Sequence, residues 1–183
     1  MSALPFHAGR LVVATQSLTD PNFEHAVVLL VEHGPEGAFG VVLNRPGALP
    51  ISEAMGLWAP LVPEPPVVFA GGPVQPEGVM GLGRLRHRDA IGSGTAVLPG
   101  VEVVDLSTDP TLAATDYRAV RLFAGYAGWG PGQLEVELAD GAWFVVDADP
   151  TDVLTADPDN LWRVVLARQG GLFVTVAEDP NLN

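Results

Sequence analysis

The chain has 183 residues, of which 48% are hydrophobic, and its nine basic residues stand against 22 carboxylates for a formal net charge of −13. All nine basic residues are arginines and cysteine is absent, so chemistry that needs a lysine amine, a thiolate or a disulfide is excluded. A surface this acidic repels a phosphate backbone, and we therefore expect no direct binding of nucleic acid.

Short apolar runs between turn signals predict seven strands, over residues 11–14, 26–31, 39–43, 67–70, 101–106, 120–124 and 143–146. A Gly/Pro turn of hairpin length joins the second strand to the third. Helical patterns predict four helices, over residues 51–58, 110–117, 133–139 and 159–169. The strands are consecutive early and alternate with helices later, which favours a mixed sheet of the α/β (α+β) class.

The chain length predicts a single domain over residues 1–183. No apolar run approaches the roughly 18 residues that a membrane helix needs. The N-terminus also lacks a basic region followed by an apolar stretch, as a signal peptide would have. We therefore expect a cytoplasmic protein that does not associate with a membrane.

Residues 125–137 have the most distinctive composition in the chain, with glycine at positions 125, 128, 130 and 132 around Pro131. Glycine permits a positive φ and a close approach of two backbones, so this segment predicts a loop held against a neighbour or a ligand. Gly130, like Gly72, is expected to occupy a backbone position that a Cβ cannot enter. A dinucleotide site fits poorly, because Pro131 interrupts the glycine pattern and the next helix ends after about two turns.

Two further segments leave alternatives open. Gly71-Gly72, after an apolar run and before Pro73, predicts either a tight turn or a concave nest of N–H groups that could hold an anion. The basic run from Arg84 to Arg88 is either a solvated loop or a contact for an anion.

The sequence Asp147-Ala148-Asp149-Pro150-Thr151 follows an apolar strand and has the local form of a haloacid-dehalogenase nucleophile loop. Such enzymes also need a cation, usually lysine, and further carboxylates downstream. Here lysine is absent and only 32 residues follow Thr151. We therefore expect an Asp-Pro turn that caps the next helix.

The side chains that most often carry catalysis are not arranged in a recognisable motif. The histidines at positions 7, 25, 33 and 87 lack metal-ligand spacing, and no serine lies in a nucleophile elbow. From local sequence we expect no catalytic residue, no metal site and no cofactor.

Five segments in chain order together resemble one protein family. They are Asp20-Pro21-x-Phe23, the apolar run 27–31 followed by Glu32-His33, the segment 37–46 ending in Asn44-Arg45-Pro46, Gly71-Gly72-Pro73-Val74, and the glycine-rich segment 125–135. The chain is similar in these segments, and in their order, to the YqgE/AlgH family of bacterial proteins.

The resemblance implies a single-domain fold whose mixed, bifurcated β-sheet curls into a pseudo-barrel with helices packed outside. It implies no established activity. One branch of the family carries a transcriptional-regulator label, and the charge of this chain favours an effect through a protein partner or a small anionic ligand over direct DNA contact.

We place the candidate binding site where three of the family segments would meet. Arg45 would fix a charge, Trp129 would be an aromatic anchor, and Gln133 or Glu135 would orient a polar group. The full set is Asn44, Arg45, Gly71, Gly72, Trp129, Gly130, Gln133 and Glu135. The same residues could instead stabilise one another, with Arg45 pairing Glu135.

The leading interpretation is a non-enzymatic binding or regulatory protein. The alternative is a small hydrolase that uses Glu32, His33 or Glu135 as general base and Arg45 as oxyanion partner. A large pocket that contains His33 and a buried carboxylate would favour the enzyme. A shallow apolar surface ringed by polar groups would favour a protein partner.

Overall fold

The computed structural model describes residues 6–173. Within that range the chain forms ten strands: β1 Leu11–Ala14, β2 Val27–Gly34, β3 Gly37–Val42, β4 Pro46–Pro50, β5 Val67–Ala70, β6 Val74–Leu85, β7 Thr95–Leu98, β8 Val101–Val104, β9 Tyr117–Trp129 and β10 Trp143–Val146. The helices are α1 Ile51–Ala54, α2 Pro110–Asp116, α3 Gln133–Ala139, α4 Pro150–Val153 and α5 Leu161–Gln169, with 3-10 turns over Gly56–Leu61 and Pro158–Asn160.

The long strand β9 is where the sheet divides. The strand order is β10-β1-β2-β3-β9-β6-β8-β7, and β5 joins β9 from the side of β3 while β4 pairs with β5. On one edge, β9 pairs with β5 at Phe123 and Ala124 and with β3 from Ala127 to Trp129. The β5–β9 pair is parallel, whereas β3 and β6 run antiparallel to β9. The expected mixed, bifurcated and curled sheet with helices is confirmed, although the sheet does not close into a barrel.

Strand β1 and the first half of β2 are apolar at every position and buried on both faces. Helix α5 packs on this region with Trp162, Val165 and Leu166. The Trp162 indole N–H donates to the Ala14 carbonyl oxygen at 2.9 Å, so its polar atom is satisfied inside the core. This contact ties the last helix to the first strand.

Arg121 on β9 is fully buried, which is rare for a charged side chain. Its guanidinium donates to the carbonyl oxygens of Thr155 at 2.6 Å and Glu64 at 2.7 Å, and it lies 4.3 Å from the centre of the Phe69 ring. Carbonyl dipoles and an aromatic face therefore replace the water that the cation has lost. The side chain fastens two connecting segments to the middle of the sheet.

The sequence predictions agree with the structure at each of the seven strands, and at the hairpin between β2 and β3. The prediction of a loop at residues 125–129 was wrong, because these residues continue β9. Strands β4, β6 and β7 were not predicted, whereas α4 is the short helix expected after the Asp-Pro turn. Glycines interrupt the apolar pattern of β6, yet they make room for neighbours: a Cβ on Gly83 would lie 2.5 Å from the Tyr117 ring.

Among the helices of residues 6–173, none is both long enough and apolar enough to cross a membrane.

Candidate functional site

An open cleft of about 650 Å³ lies beside β9 near the point where the sheet divides. We call it the fork cleft. Its lining comes from three strands: Ala38 and Phe39 of β3, Val74, Gln75, Gly78, Val79 and Met80 of β6, and Gly125, Tyr126, Gly128 and Trp129 of β9. No charged side chain belongs to this lining. The cleft is thus an uncharged apolar surface on a protein with a net charge of −13.

The fork cleft exists because β6 bulges away from β9. Val74 pairs with Tyr126 and Val79 pairs with Ala124, so four residues of β6 stand opposite one residue of β9. Gln75 begins this bulge with a φ of +47°, a conformation that few residues other than glycine adopt. The bulge interrupts pairing between the strands and leaves apolar side chains uncovered.

Two glycines of β9, Gly125 and Gly128, belong to the lining of the cleft. Gly125 has a φ of +72°, and a Cβ there would lie 2.3 Å from the Gly72 carbonyl oxygen. Gly128 leaves the space beside the Tyr126 ring open. That ring packs edge-on against Phe39 with centroids 5.7 Å apart, so the two rings hold each other in position along the cleft wall.

Trp129 reaches the fork cleft with only a small part of its surface. Its ring contacts Phe23 and Trp143, with centroids 6.4 Å and 5.8 Å away. Its indole N–H donates to Glu137 Oε2 at 2.9 Å, and the same oxygen accepts the Trp143 indole N–H at 2.8 Å. The predicted aromatic anchor therefore mainly joins β9 to β10 and α3.

The Gln133 side chain forms hydrogen bonds within α3 and with the residue three positions before it. Its Oε1 accepts the Gly130 N–H at 3.0 Å and its Nε2 donates to Glu137 at 2.9 Å. A Cβ on Gly130 would have only the Gln133 side chain nearby, at 3.9 Å, and Gly130 does not have a positive φ. The expectation that Gly130 must be glycine was therefore wrong.

Glu135 pairs with His33, whose side chain is 1% exposed. The His7 N–H donates to His33 Nδ1 at 3.0 Å, so Nε2 carries the proton and donates to Glu135 Oε1 at 2.8 Å. Partial burial opposes ionisation of Glu135, but its backbone N–H and the His33 ring outweigh that effect and lower its pKa. The pairing of Arg45 with Glu135 that we considered is not the one formed.

Asn44 and Arg45 hold the turn that precedes β2. The buried Asn44 side chain accepts from the Val27 N–H and donates to the His25 carbonyl, both at 2.9 Å. Arg45 donates to the Glu24 carbonyl oxygen. Both residues line a separate cavity of about 400 Å³ together with Trp162. Their side chains thus face a different region from the fork cleft.

Gly71 and Gly72 allow the connection after β5 to lie directly on β9. Gly72 has a φ of +152°, and a Cβ there would lie 2.1 Å from the Tyr126 carbonyl carbon. The Gly71 N–H donates to the Ala124 carbonyl at 2.7 Å. Of the two interpretations left open, this geometry supports a turn whose glycines are required by backbone contact.

The three predicted segments are neighbours through the backbone, because the Ala70 N–H donates to the Arg45 carbonyl and Gly71 pairs with β9. Trp129 lies further along β9 from Ala124, at roughly 3.3 Å per residue. Of the eight predicted site residues, only Trp129 lines the fork cleft. The prediction missed Val79, Met80 and Phe39 as lining residues. The sequence signal that could have pointed to them is the Gln-Pro-Glu-Gly turn between Val74 and Val79.

The carboxylates after β10 have structural roles. Asp149 accepts the Thr151 N–H and forms a capping box with Asp152 at the start of α4, which confirms the predicted Asp-Pro turn. Asp147 pairs with Arg10 at 3.1 Å. Throughout residues 6–173, no group of three histidine or acidic side chains is placed to hold a metal ion.

Comparison with protein families supports the resemblance seen in the sequence. A model of the family described as AlgH-like matches residues 11–174. A UPF0301 protein of Streptomyces coelicolor is 49% identical over 183 residues, covering 96% of this chain and 94% of the relative. A UPF0301 protein of Mycobacterium tuberculosis is 38% identical and covers 88% of this chain and 82% of its own length.

Two experimental structures have the same fold. The crystal structure of protein DIP2367 from Corynebacterium diphtheriae is 29% identical, with a TM-score of 0.89 and coverage of 97% of this chain and 94% of that one. The solution structure of the AlgH protein from Pseudomonas aeruginosa is 29% identical, with a TM-score of 0.72 and coverage of 100% and 99%. The predicted family relationship is confirmed.

Proposed function

This chain belongs to the AlgH-like family, and we propose that it is a non-enzymatic binding protein whose fork cleft receives apolar side chains of a protein partner. The observation that carries the proposal is the uncharged lining of the cleft on so acidic a chain. Large exposed apolar patches on soluble proteins commonly mark interaction sites.

The shape of the fork cleft supports a protein partner over an enclosed small molecule. Small-molecule sites usually bury most of their ligand, whereas this cleft is open and leaves Val79 44% exposed. A partner side chain of the size of leucine or phenylalanine gains roughly 1.5–3 kcal/mol when it is fully buried. Such an anchor in a lining that also includes the polar Gln75 resembles the centre of a protein interface.

The hydrolase alternative receives little support from the geometry. Both ring nitrogens of His33 are engaged, Nδ1 by the His7 N–H and Nε2 by Glu135, so neither is free to contact a substrate. Arg45 lines a different cavity from Glu135 and donates to the Glu24 carbonyl. A regulatory role through a protein partner also agrees with the net charge, which disfavours contact with DNA.

The test compares the wild type with Val79→Asp, which places a carboxylate in the fork cleft. The matched control is Val136→Asp, on α3 outside the cleft, where valine is 61% exposed. In a pull-down followed by binding of the purified partner, we expect Val79→Asp to weaken binding at least about tenfold and Val136→Asp to leave it unchanged. Thermal melts establish that both variants are folded.

Equal binding by the wild type and Val79→Asp would overturn the proposal. If the purified protein self-associates and Val79→Asp abolishes the self-association, the occupant of the fork cleft is a second copy of this chain and not a different protein. Light scattering of the two proteins over a range of concentrations distinguishes these outcomes.

A further inference from the structure

A second cavity, of about 310 Å³, collects four of the nine arginines of the chain. We call it the arginine cleft and define it by Arg84, Arg86, Arg88 and Arg118. Arg84 is the last residue but one of β6, Arg118 is the second residue of β9, and the other two lie on the loop that follows β6. These arginines are brought together from two strands and a loop, so the sequence run from Arg84 to Arg88 shows only part of the cluster.

The arginine cleft carries an excess of positive charge. Asp149 is the only acidic residue of its lining, against four guanidinium groups. The Asp149 carboxylate already accepts the Thr151 N–H at 2.9 Å and hydroxyl at 2.7 Å. These hydrogen bonds, with a smaller contribution from nearby arginines, lower its pKa. It therefore stays ionised, but it neutralises only part of the cluster.

The four guanidinium groups make few contacts of their own. Across residues 6–173, none of them forms an ion pair, and the one hydrogen bond is from Arg86 Nε to the Ala114 carbonyl at 2.8 Å. Like charges gathered in one concavity repel one another. Although the chain has 22 carboxylates, none of the four guanidinium groups is paired with one in residues 6–173. Their N–H groups are therefore available to a ligand.

The fold holds the arginine cleft in shape. Glu102, which is 3% exposed, accepts the N–H groups of Gly92 and Gly94 at 2.9 Å and 3.0 Å and the Tyr117 hydroxyl at 2.6 Å. These bonds fasten the far end of the loop that carries Arg86 and Arg88. At its near end the Arg86 N–H donates to the Asp116 carbonyl at 2.9 Å. The loop is thus anchored at both ends.

We propose that the arginine cleft binds a small phosphate-bearing ligand. The planar guanidinium presents paired N–H groups that match phosphate oxygens. The volume of the arginine cleft is close to the lower end of the range for small-molecule sites. Because charges are screened over about 8 Å at physiological salt, the acidic surface elsewhere does not cancel the local attraction.

A neighbouring cavity of about 340 Å³ gives room for the organic part of such a ligand. It shares Arg84 and Thr151 with the arginine cleft, and its lining combines the apolar Leu154, Leu161 and Val164 with the ion-paired Asp152 and Arg168. A phosphate ester can therefore place its phosphate among the arginines and its apolar portion against Leu154, Leu161 and Val164 of the neighbouring cavity. A long nucleic acid would instead extend over the acidic surface that surrounds the cleft.

The test is calorimetric titration of the full chain with pyrophosphate at an ionic strength of about 50 mM. We expect saturable binding that the double variant Arg88→Ala/Arg118→Ala weakens at least about tenfold. The control is Arg163→Ala, an exposed arginine on α5 outside both cavities, which should leave binding unchanged. Because these arginines are exposed, thermal melts should show all variants folded.

Absence of saturable binding up to about 10 mM pyrophosphate would overturn the proposal, as would equal weakening by Arg163→Ala. Phenyl phosphate should bind more tightly than inorganic phosphate, because its ring can enter the neighbouring cavity. Equal affinity would contradict the proposed position of the organic part. Duplex DNA that binds more tightly than pyrophosphate, and depends on the same two arginines, would replace the small ligand with nucleic acid.

Discussion

Tyr117 and Glu102 show how a single buried contact makes stability depend on pH. Tyr117 is fully buried on β9 and donates to the Glu102 carboxylate. Burial, and then the hydrogen bond to Glu102, raise the pKa of Tyr117 to about 12. The neutral phenol is thus favoured more strongly in the folded chain than in the unfolded one, where its pKa is about 10.

This difference predicts an alkaline loss of stability. The contribution of Tyr117 is fully present below about pH 10 and falls by up to about 1.4 kcal/mol per pH unit as the pH rises towards 12. Urea unfolding of the wild type and Tyr117→Phe should show a difference that shrinks over this interval, since contributions common to both proteins cancel. A difference that stays constant would mean that Tyr117 ionises equally in both states.

At the scale of the element, β9 explains why glycine is required at some positions and not at others. It pairs with β5 and β3 along one edge and with β6 along the other, and the backbone after β5 also lies against it. At Gly72 this contact leaves no space for a side chain. Gly130, just after the strand ends, faces open space.

We therefore predict that the same substitution, glycine to alanine, lowers the free energy of unfolding strongly at one position and hardly at the other. Gly72→Ala should lower the free energy of unfolding by about 2 kcal/mol or more, because its Cβ would overlap the Tyr126 backbone and its φ is unfavourable for alanine. Gly130→Ala should change the free energy by about 0.5 kcal/mol or less. Urea titrations with a common m-value decide between them. Equal destabilisation would show that the Gly72 contact relaxes without difficulty.

At the scale of the whole molecule, charge is distributed unevenly. The net charge is −13, yet four of nine arginines line one small cavity and the fork cleft has no charge in its lining. A duplex needs many phosphate contacts over an extended surface, whereas the arginine cleft is a compact basic region. The two clefts therefore have different chemistry.

From this distribution we predict no specific binding of duplex DNA at physiological salt. A mobility-shift assay at sub-micromolar protein in about 150 mM salt should show free DNA only. A shift that disappears in the triple variant Arg84→Ala/Arg86→Ala/Arg88→Ala would contradict the prediction. A shift that the triple variant retains would contradict it as well and would locate the contact elsewhere.

The sequence by itself determined the family, the class of fold and most strands. Apolar runs such as Leu11–Ala14 and Val67–Ala70 form strands because local composition and pairing agree there. The hairpin between β2 and β3 and the Asp-Pro cap of α4 follow from turn chemistry, which acts over a few residues. The net charge and the absence of lysine and cysteine needed no structure at all.

Only the tertiary structure decided which residues line each cleft. Val79 and Tyr126 meet in the fork cleft because of a strand bulge, and Arg118 joins Arg88 across β9 and a loop, over separations that no local pattern encodes. The predicted set was divided for the same reason: Arg45 contacts the Glu24 carbonyl, Gly72 lies against the Tyr126 backbone, and Glu135 pairs with His33. Local interactions determine elements, whereas side-chain direction and long-range pairing determine which residues share a cavity.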